Sequence, residues 1–211
     1  MINNPDHLEI DELARKAEAI KNSNLLDGQS KQLIFLVLAG KKPVSEFSLG
    51  KQLKNAEGEW IHKFEKPDTL EVGKLLSNLG LYYDLKRDYK YPDDGPLYYI
   101  ISLQENLITK FSPKDSREEG QLYGFPKTVT EAYLEADQES LMRIDTDDNM
   151  KKQVRKRADK LLISSDEKKT IHEKEGIPES FGFFRYSRAH WQEELAVTKD
   201  WYNTLKRYGL A

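Results

Sequence analysis

The sequence contains no cysteine. That excludes disulfides, thiolate nucleophiles and cysteine-ligated zinc or iron–sulfur centres. Histidine is scarce, with only His7, His62, His172 and His190. A helical metal site gathers several His and carboxylate ligands from facing helices. Here a single pair, His190 with Glu193 or Glu194, has helical spacing. Neither a metal nor another cofactor is therefore expected. The longest apolar run, LIFLVLAG from Leu33 to Gly40, is too short to cross a bilayer. The acidic N-terminal stretch MINNPDHLEIDELARK lacks the apolar core of a signal peptide. A cytoplasmic protein without a membrane partner is the expectation. Neither sign of charge dominates: 33 basic residues face 36 acidic ones, for a formal net charge of -3. That balance argues against a dedicated nucleic-acid binder, which carries a basic surplus.

Aromatic residues are plentiful, with 11 Tyr, 8 Phe and 3 Trp, and disordered chains are poor in them. A chain of 211 residues can bury one substantial core. The reading is a loose tail over 1–7, then a single α+β domain over 8–211. That domain is mostly helical, with a small antiparallel hairpin sheet packed on helices.

Leu8, Leu13, Ala17 and Ile20 space out an amphipathic helix, and Asp27–Gly28 ends that unit. Ser30–Ala39 reads as a more buried helix stopped by Gly40 and Pro43. Residues 44–66 fit either state, and EWIHKF within them suits a strand or a helical turn. Asp68 or Thr69 can cap a helix with apolar positions at Leu70, Val72, Leu75, Leu76 and Leu79, stopped by Gly80. LYYDLKRDYKY and PLYYIISL then flank PDDGP, the residue types of a β-hairpin. A two-stranded ribbon is marginal alone, and 106–111 could add the third strand. Beyond Pro113 the chain reads helical, with Pro126 at a first helical position and a last helix over about 187–208.

DTDDN places Asp145, Asp147 and Asn149 at the first ligand spacings of a calcium loop. The loop fails at Met150, where glycine should turn the chain, and at Lys156, where a bidentate glutamate is required. These acids suit the positive end of the helix that follows. That helix is strongly basic, with Lys151, Lys152, Arg155, Lys156, Arg157 and Lys160, and could contact phosphates. With Asp145, Asp147 and Asp148 just upstream, Asp159 within it and no interleaved aromatics, it reads as a solvated face.

Two stretches are candidate functional ground. In GFFRYSRAHWQEEL, Gly182 to Leu195, a continued helix puts Phe184, Arg188, Trp191 and Leu195 on one side, with His190 and Glu194 beside them. Arg185 and Arg188, one turn apart, could clamp a carboxylate or phosphate, with Tyr186 and Trp191 alongside. Arginines also snorkel along apolar stripes without binding anything. In EEGQLYGFPKTVTEAY, the Gly124–Phe125–Pro126 turn enters a helix whose N-terminal N–H groups attract anions. Lys127 and Thr128 could add side-chain contacts. The alternative is a tight helix–helix connection.

This second stretch resembles an uncharacterised prokaryotic family carrying an acidic-x-Gly-x-Leu-x-Gly-aromatic-Pro element, followed by paired cysteines and an Ala-aromatic pair. Glu118, Gly120, Leu122, Gly124, Phe125, Pro126, Ala132 and Tyr133 match it. Thr128 and Val129 stand where the cysteines fall. GIPES, Gly176 to Ser180, resembles the placement of that family's Pro-Cys segment before the last helix. The resemblance covers about sixteen residues, Glu118–Tyr133, and implies shared architecture without a reaction.

The functional expectation is a binding protein for a small anionic ligand, a nucleotide or carboxylate metabolite. Arg185, Arg188, Tyr186, Trp191, Gly124, Lys127 and Thr128 are its candidate contacts. One alternative is a metal-independent enzyme with His190 as general acid or base, oriented by Glu194 or Glu193. Another is an interaction module whose aromatic C-terminal helix packs on a partner or on its own copy.

Overall fold

A computed structural model of the chain describes residues 5–49, 51–54, 60–63, 66–87, 97–109, 116–136, 147–179 and 181–211. The fold is α+β, mostly helical with a small antiparallel sheet, as the sequence predicts. The chain forms two compact units. The first comprises Met1–Phe111 with Thr204–Ala211, and the second Ser112–Asn203.

In the first unit, α1 (Pro5–Lys21) begins inside the expected tail. Asp27 caps α2 (Gly28–Leu38), its side chain accepting the Ser30 N–H at 2.7 Å, and so starts a helix as well as separating two. Gly40 (φ 66°) and Gly80 (φ 79°) close α2 and α3 (Lys66–Asn78) in the left-handed conformation that glycine tolerates. The expected hairpin is present: β4 (Tyr82–Arg87) pairs antiparallel with β5 (Leu97–Ser102), and its connection lies outside the described residues. The third strand is not 106–111. Within that stretch, α4 (Glu105–Thr109) is a short helix. Instead β1 (Val44–Leu49) pairs with β5, giving the order β1-β5-β4. A second ribbon joins β2 (Lys51–Lys54) to β3 (Trp60–Lys63), so EWIHKF holds a strand.

Side-chain alternation puts Phe47, Tyr99 and Tyr83 on one face of the sheet. Tyr99 donates its hydroxyl to the Thr69 carbonyl of α3 at 2.5 Å and stacks on Phe47. Val72 and Leu76 are the buried side of α3, with Leu79 buried just past its end, whereas Leu70, an apolar position of the same pattern, is 64% exposed. The C-terminal residues contribute Leu205, Leu210 and Tyr208, whose ring meets Phe35.

The second unit is helical: α5 (Ser116–Leu122), α6 (Lys127–Glu135), α7 (Asp148–Leu161), α8 (Ser165–Glu175) and most of α9 (Trp191–Arg207). Pro126 stands at the N-cap of α6, one residue before the expected position. Gly120 lets α5 approach α6, because a Cβ there would meet the Thr130 hydroxyl at 2.5 Å. Asp147 caps α7 by accepting the Met150 N–H, the role foreseen for the acidic run; Asp145 lies outside the described residues. Ser164 and Glu167 form a reciprocal capping box on α8. Ala136, Ala158 and Leu162 pack together at the α6–α7 junction.

Candidate functional site

The stretch before α9 is where structure and sequence pattern part. The last helix begins at Trp191, not near Ser187. Residues 182–190 form a strap along the α7–α8 junction. Ile163 N–H donates to the Tyr186 carbonyl, and Arg188 N–H to the Leu161 carbonyl, each at 2.8 Å. This isolated antiparallel bridge, Leu162 with Ser187, takes the backbone groups that a helix would need. Arg188 and His190 therefore leave the stripe of α9.

The strap's aromatics face inward. Phe184 meets Phe125, Tyr186 and Trp201, so the Gly124–Phe125–Pro126 turn anchors one of its neighbours. Gly124 takes a left-handed φ of 71° there. Its N–H donates to the Gln121 carbonyl and that of Phe125 to the Gly120 carbonyl, so this turn uses two of its own donors. Lys127 is exposed, 3.6 Å from Glu131. The Thr128 hydroxyl donates to Glu194 at 2.7 Å. The carboxylate met at this turn belongs to the protein itself.

Glu194 is fully buried. Besides Thr128, it accepts the Ser187 N–H and hydroxyl, each at 2.6 Å. His190 is elsewhere: its side chain is exposed, with Nδ1 3.8 Å from Glu193. Glu194 is committed to Ser187 and Thr128, and the carboxylate beside His190 is that of Glu193.

Tyr186 is also sealed, and its hydroxyl lies 2.8 Å from His172 Nε2. His172 Nδ1 is 3.3 Å from the Pro178 carbonyl, which can only accept. Nδ1 is thus assigned the proton, and Nε2 accepts from Tyr186. Burial lowers the His172 pKa; the Pro178 contact opposes this and the charge of Lys168 adds to it. Burial pushes Tyr186 up to about 12, against its bond with Thr198. Lys168 donates to the Phe184 carbonyl at 2.7 Å and lies over the Tyr186 ring. No spacing in the sequence marks His172 or Lys168 as partners of Tyr186.

The arginines point away from this interior. Arg185 donates Nε and Nη2 to the Ile163 carbonyl, both at 3.3 Å. Arg188 makes a two-pronged ion pair with Glu167, at 2.7 and 2.8 Å, and sends Nε to the Asp159 carbonyl. The pair holds the Glu167 carboxyl down at about 2, chiefly through the Arg188 hydrogen bond, with Ser164 contributing. Beside it lies an open depression of about 350 Å³ lined by Ile163, Glu167, Thr170, Ile171, Arg188 and Trp191.

Of the predicted contacts, the structure brings Arg188 and Trp191 together here. Arg185, Tyr186, Gly124, Lys127 and Thr128 are not among the lining residues. Glu167, Thr170 and Ile171 were missed. The charged run over 164–176 has the polarity of a connection, yet it folds as α8. The Ser164-x-x-Glu167 capping spacing is the signal for that helix, and nothing local announces the arginine that Glu167 pairs with.

Among the described residues, no group of three His, Cys, Asp or Glu is placed to hold a metal ion. Among them too, no helix is long and apolar enough to cross a membrane. Comparison of the chain with protein-family models, curated proteins and solved structures gave no match.

Proposed function

We propose that the second unit binds a small carboxylate ligand with an apolar body, in the depression between α8 and the start of α9. The observation that carries this reading is the two-pronged Arg188–Glu167 pair at its rim. The fork geometry of a guanidinium matches any carboxylate, and Glu167 occupies it as an internal stand-in for the ligand. Exposed ion pairs contribute little net stability, so exchange of one carboxylate for another costs little. A displaced Glu167 keeps its bond from the Ser164 N–H. Ile163, Ile171 and Trp191 offer the ligand's body apolar contact, and Thr170 offers a hydroxyl. The volume is at the low end of the roughly 300–1,000 Å³ of small-molecule sites.

Calorimetric titration with a panel of aliphatic and aromatic carboxylates tests the reading. Glu167→Gln keeps a capping-box residue at its position and frees the arginine. It should bind the best carboxylate more tightly than wild type, and Arg188→Ala should lose it. The reading fails if no carboxylate binds either protein, or if Arg188→Ala binds as wild type does.

A further inference from the structure

We propose that α7 carries a docking surface for the phosphate backbone of a nucleic-acid duplex. The helix gathers six cations and two carboxylates in a chain of formal net charge -3, so the charge is segregated, not absent. Val154 and Ala158 are buried and fix which side faces inward. Lys152, Lys156 and Lys160 recur every fourth residue on the exposed side, and Arg155 is three residues from Lys152. Among the described residues, none of these four has an ion-pair or hydrogen-bond partner.

Asp148, four residues before Lys152, and Asp159, three after Lys156, border the row. Among the described residues neither is within ion-pair distance of it, and six cations outnumber two carboxylates on the helix. Asp148 stands in the first turn, where it answers the helix dipole. The charge of Asp159 acts on Arg188, whose pKa it helps to raise, after the dominant hydrogen bond to Glu167. Like charges spaced four apart repel one another along a helix. A polyanion relieves that repulsion and releases its own counterions.

The geometry points to a duplex backbone. At about 1.5 Å per residue the lysine row spans about 12 Å. Each strand of a duplex presents one phosphate per about 3.4 Å of axis, so the row covers three to four phosphates. The exposed side of α7 adds Asn149 and Gln153 but no aromatic residue. It therefore lacks the stacking platform that single strands require. Contacts confined to phosphates position a protein without reading sequence.

Fluorescence anisotropy of the full chain against a labelled mixed-sequence duplex tests this. Binding is expected with a Kd of about 10⁻⁴ to 10⁻⁶ M at physiological salt, with log Kd depending linearly on log salt. The triple variant K152Q/K156Q/K160Q changes only exposed side chains, and its far-UV circular dichroism should match wild type. It should weaken binding at least about tenfold and flatten the salt slope by about 2.7, some 0.9 per lost contact. The proposal is overturned if wild type does not bind duplex at low salt, or if the triple variant binds equally well. It is also overturned if the row captures polyglutamate or phosphatidylserine vesicles but not duplex.

Discussion

Ser187 gives both its backbone N–H and its hydroxyl to the buried carboxylate of Glu194, each at 2.6 Å. The same hydroxyl accepts the His190 N–H at 3.2 Å. One serine thus anchors the strap and presents the chain to α9, while Thr128 ties the first turn of α6 to the same carboxylate.

Glu194→Ala should therefore be among the most damaging single changes in the second unit. It leaves the buried Ser187 N–H and hydroxyl without an acceptor and removes the partner of the half-buried Thr128 hydroxyl. An unsatisfied buried group costs roughly 1–3 kcal/mol, so a loss of about 3 kcal/mol is expected. Glu194→Gln should cost markedly less. Its carbonyl can take the N–H, and its amide can donate to both hydroxyls, which accept as readily as they donate. Urea denaturation of the two variants checks the contrast; equal losses would show that shape, not acceptor capacity, matters at this position.

His172 predicts an acid-sensitive second unit. Its folded pKa lies below the ordinary 6.5 because burial opposes the imidazolium. Between these two values the unfolded chain binds a proton that the folded chain does not. Stability therefore falls as pH drops through 6.5 toward the folded value, and is recovered above 6.5. Protonation also puts a second N–H against the Tyr186 hydroxyl, which would have to turn from donor to acceptor. Thermal unfolding at pH 7.5, 6.5 and 5.5 should show this decline. His172→Gln should flatten it, whatever it does to stability at neutral pH. A decline unchanged in the variant would assign the acid sensitivity to other groups.

Which parts of this were legible follows from the range of each signal. The acidic start of α7 at Asp147, the stops at Gly40 and Gly80, and the β4–β5 hairpin are each written in a short stretch of sequence, and all are found. Asp27, read as the end of the first helical unit, is the cap of α2. The third strand was misassigned because β1 pairs with β5 across a long separation, Val44 opposite Ser102. The marginal hairpin calls for a third strand or a covering helix, and which segment supplies the strand is a tertiary fact. The strap failed for the same reason. GFFRYSRAHWQEEL has helical periodicity, yet the bridge of Ser187 to Leu162 takes backbone groups of its first half out of a helix. Arg188 and Trp191 were recognised as binding types; the identity of Glu167 as the partner of Arg188 lies 21 residues away.

The Arg188–Glu167 pair should be visible by titration. Arg188 holds the Glu167 carboxyl at about 2, well below its ordinary 4.5. The stability it contributes is thus present above 4.5 and lost as pH falls toward 2. A carboxyl ¹³C titration of wild type should show Glu167 changing near the lower value. In Arg188→Ala the midpoint should climb toward the ordinary value, stopping short because the Ser164 N–H still favours the charged form. An unmoved midpoint would locate the cause in the helix cap and weaken the case for Arg188 as a carboxylate clamp.

At the alkaline side, Lys42 should govern the first unit. It lies between α2 and β1, is 3% exposed, and burial brings its pKa down from 10.5 to about 7. In the window from about 7 to 10.5 the unfolded chain carries a proton that the folded chain lacks. Stability should therefore rise with pH across the lower part of that window. Tyr99 and Tyr186 act in the opposite sense, because burial lifts both to about 12. Their neutral forms stabilise the fold below 10, and this contribution is lost as pH climbs from about 10 toward 12. The combined expectation is a stability maximum near pH 9 to 10 for the groups named. Urea midpoints taken from pH 7 to 9 isolate the lysine. They should increase in wild type and stay nearly level in Lys42→Met, which keeps the unbranched chain and removes the ammonium. A Lys42→Met protein with the wild-type slope would mean that the folded chain keeps the Lys42 proton throughout, with its charge accommodated inside the first unit.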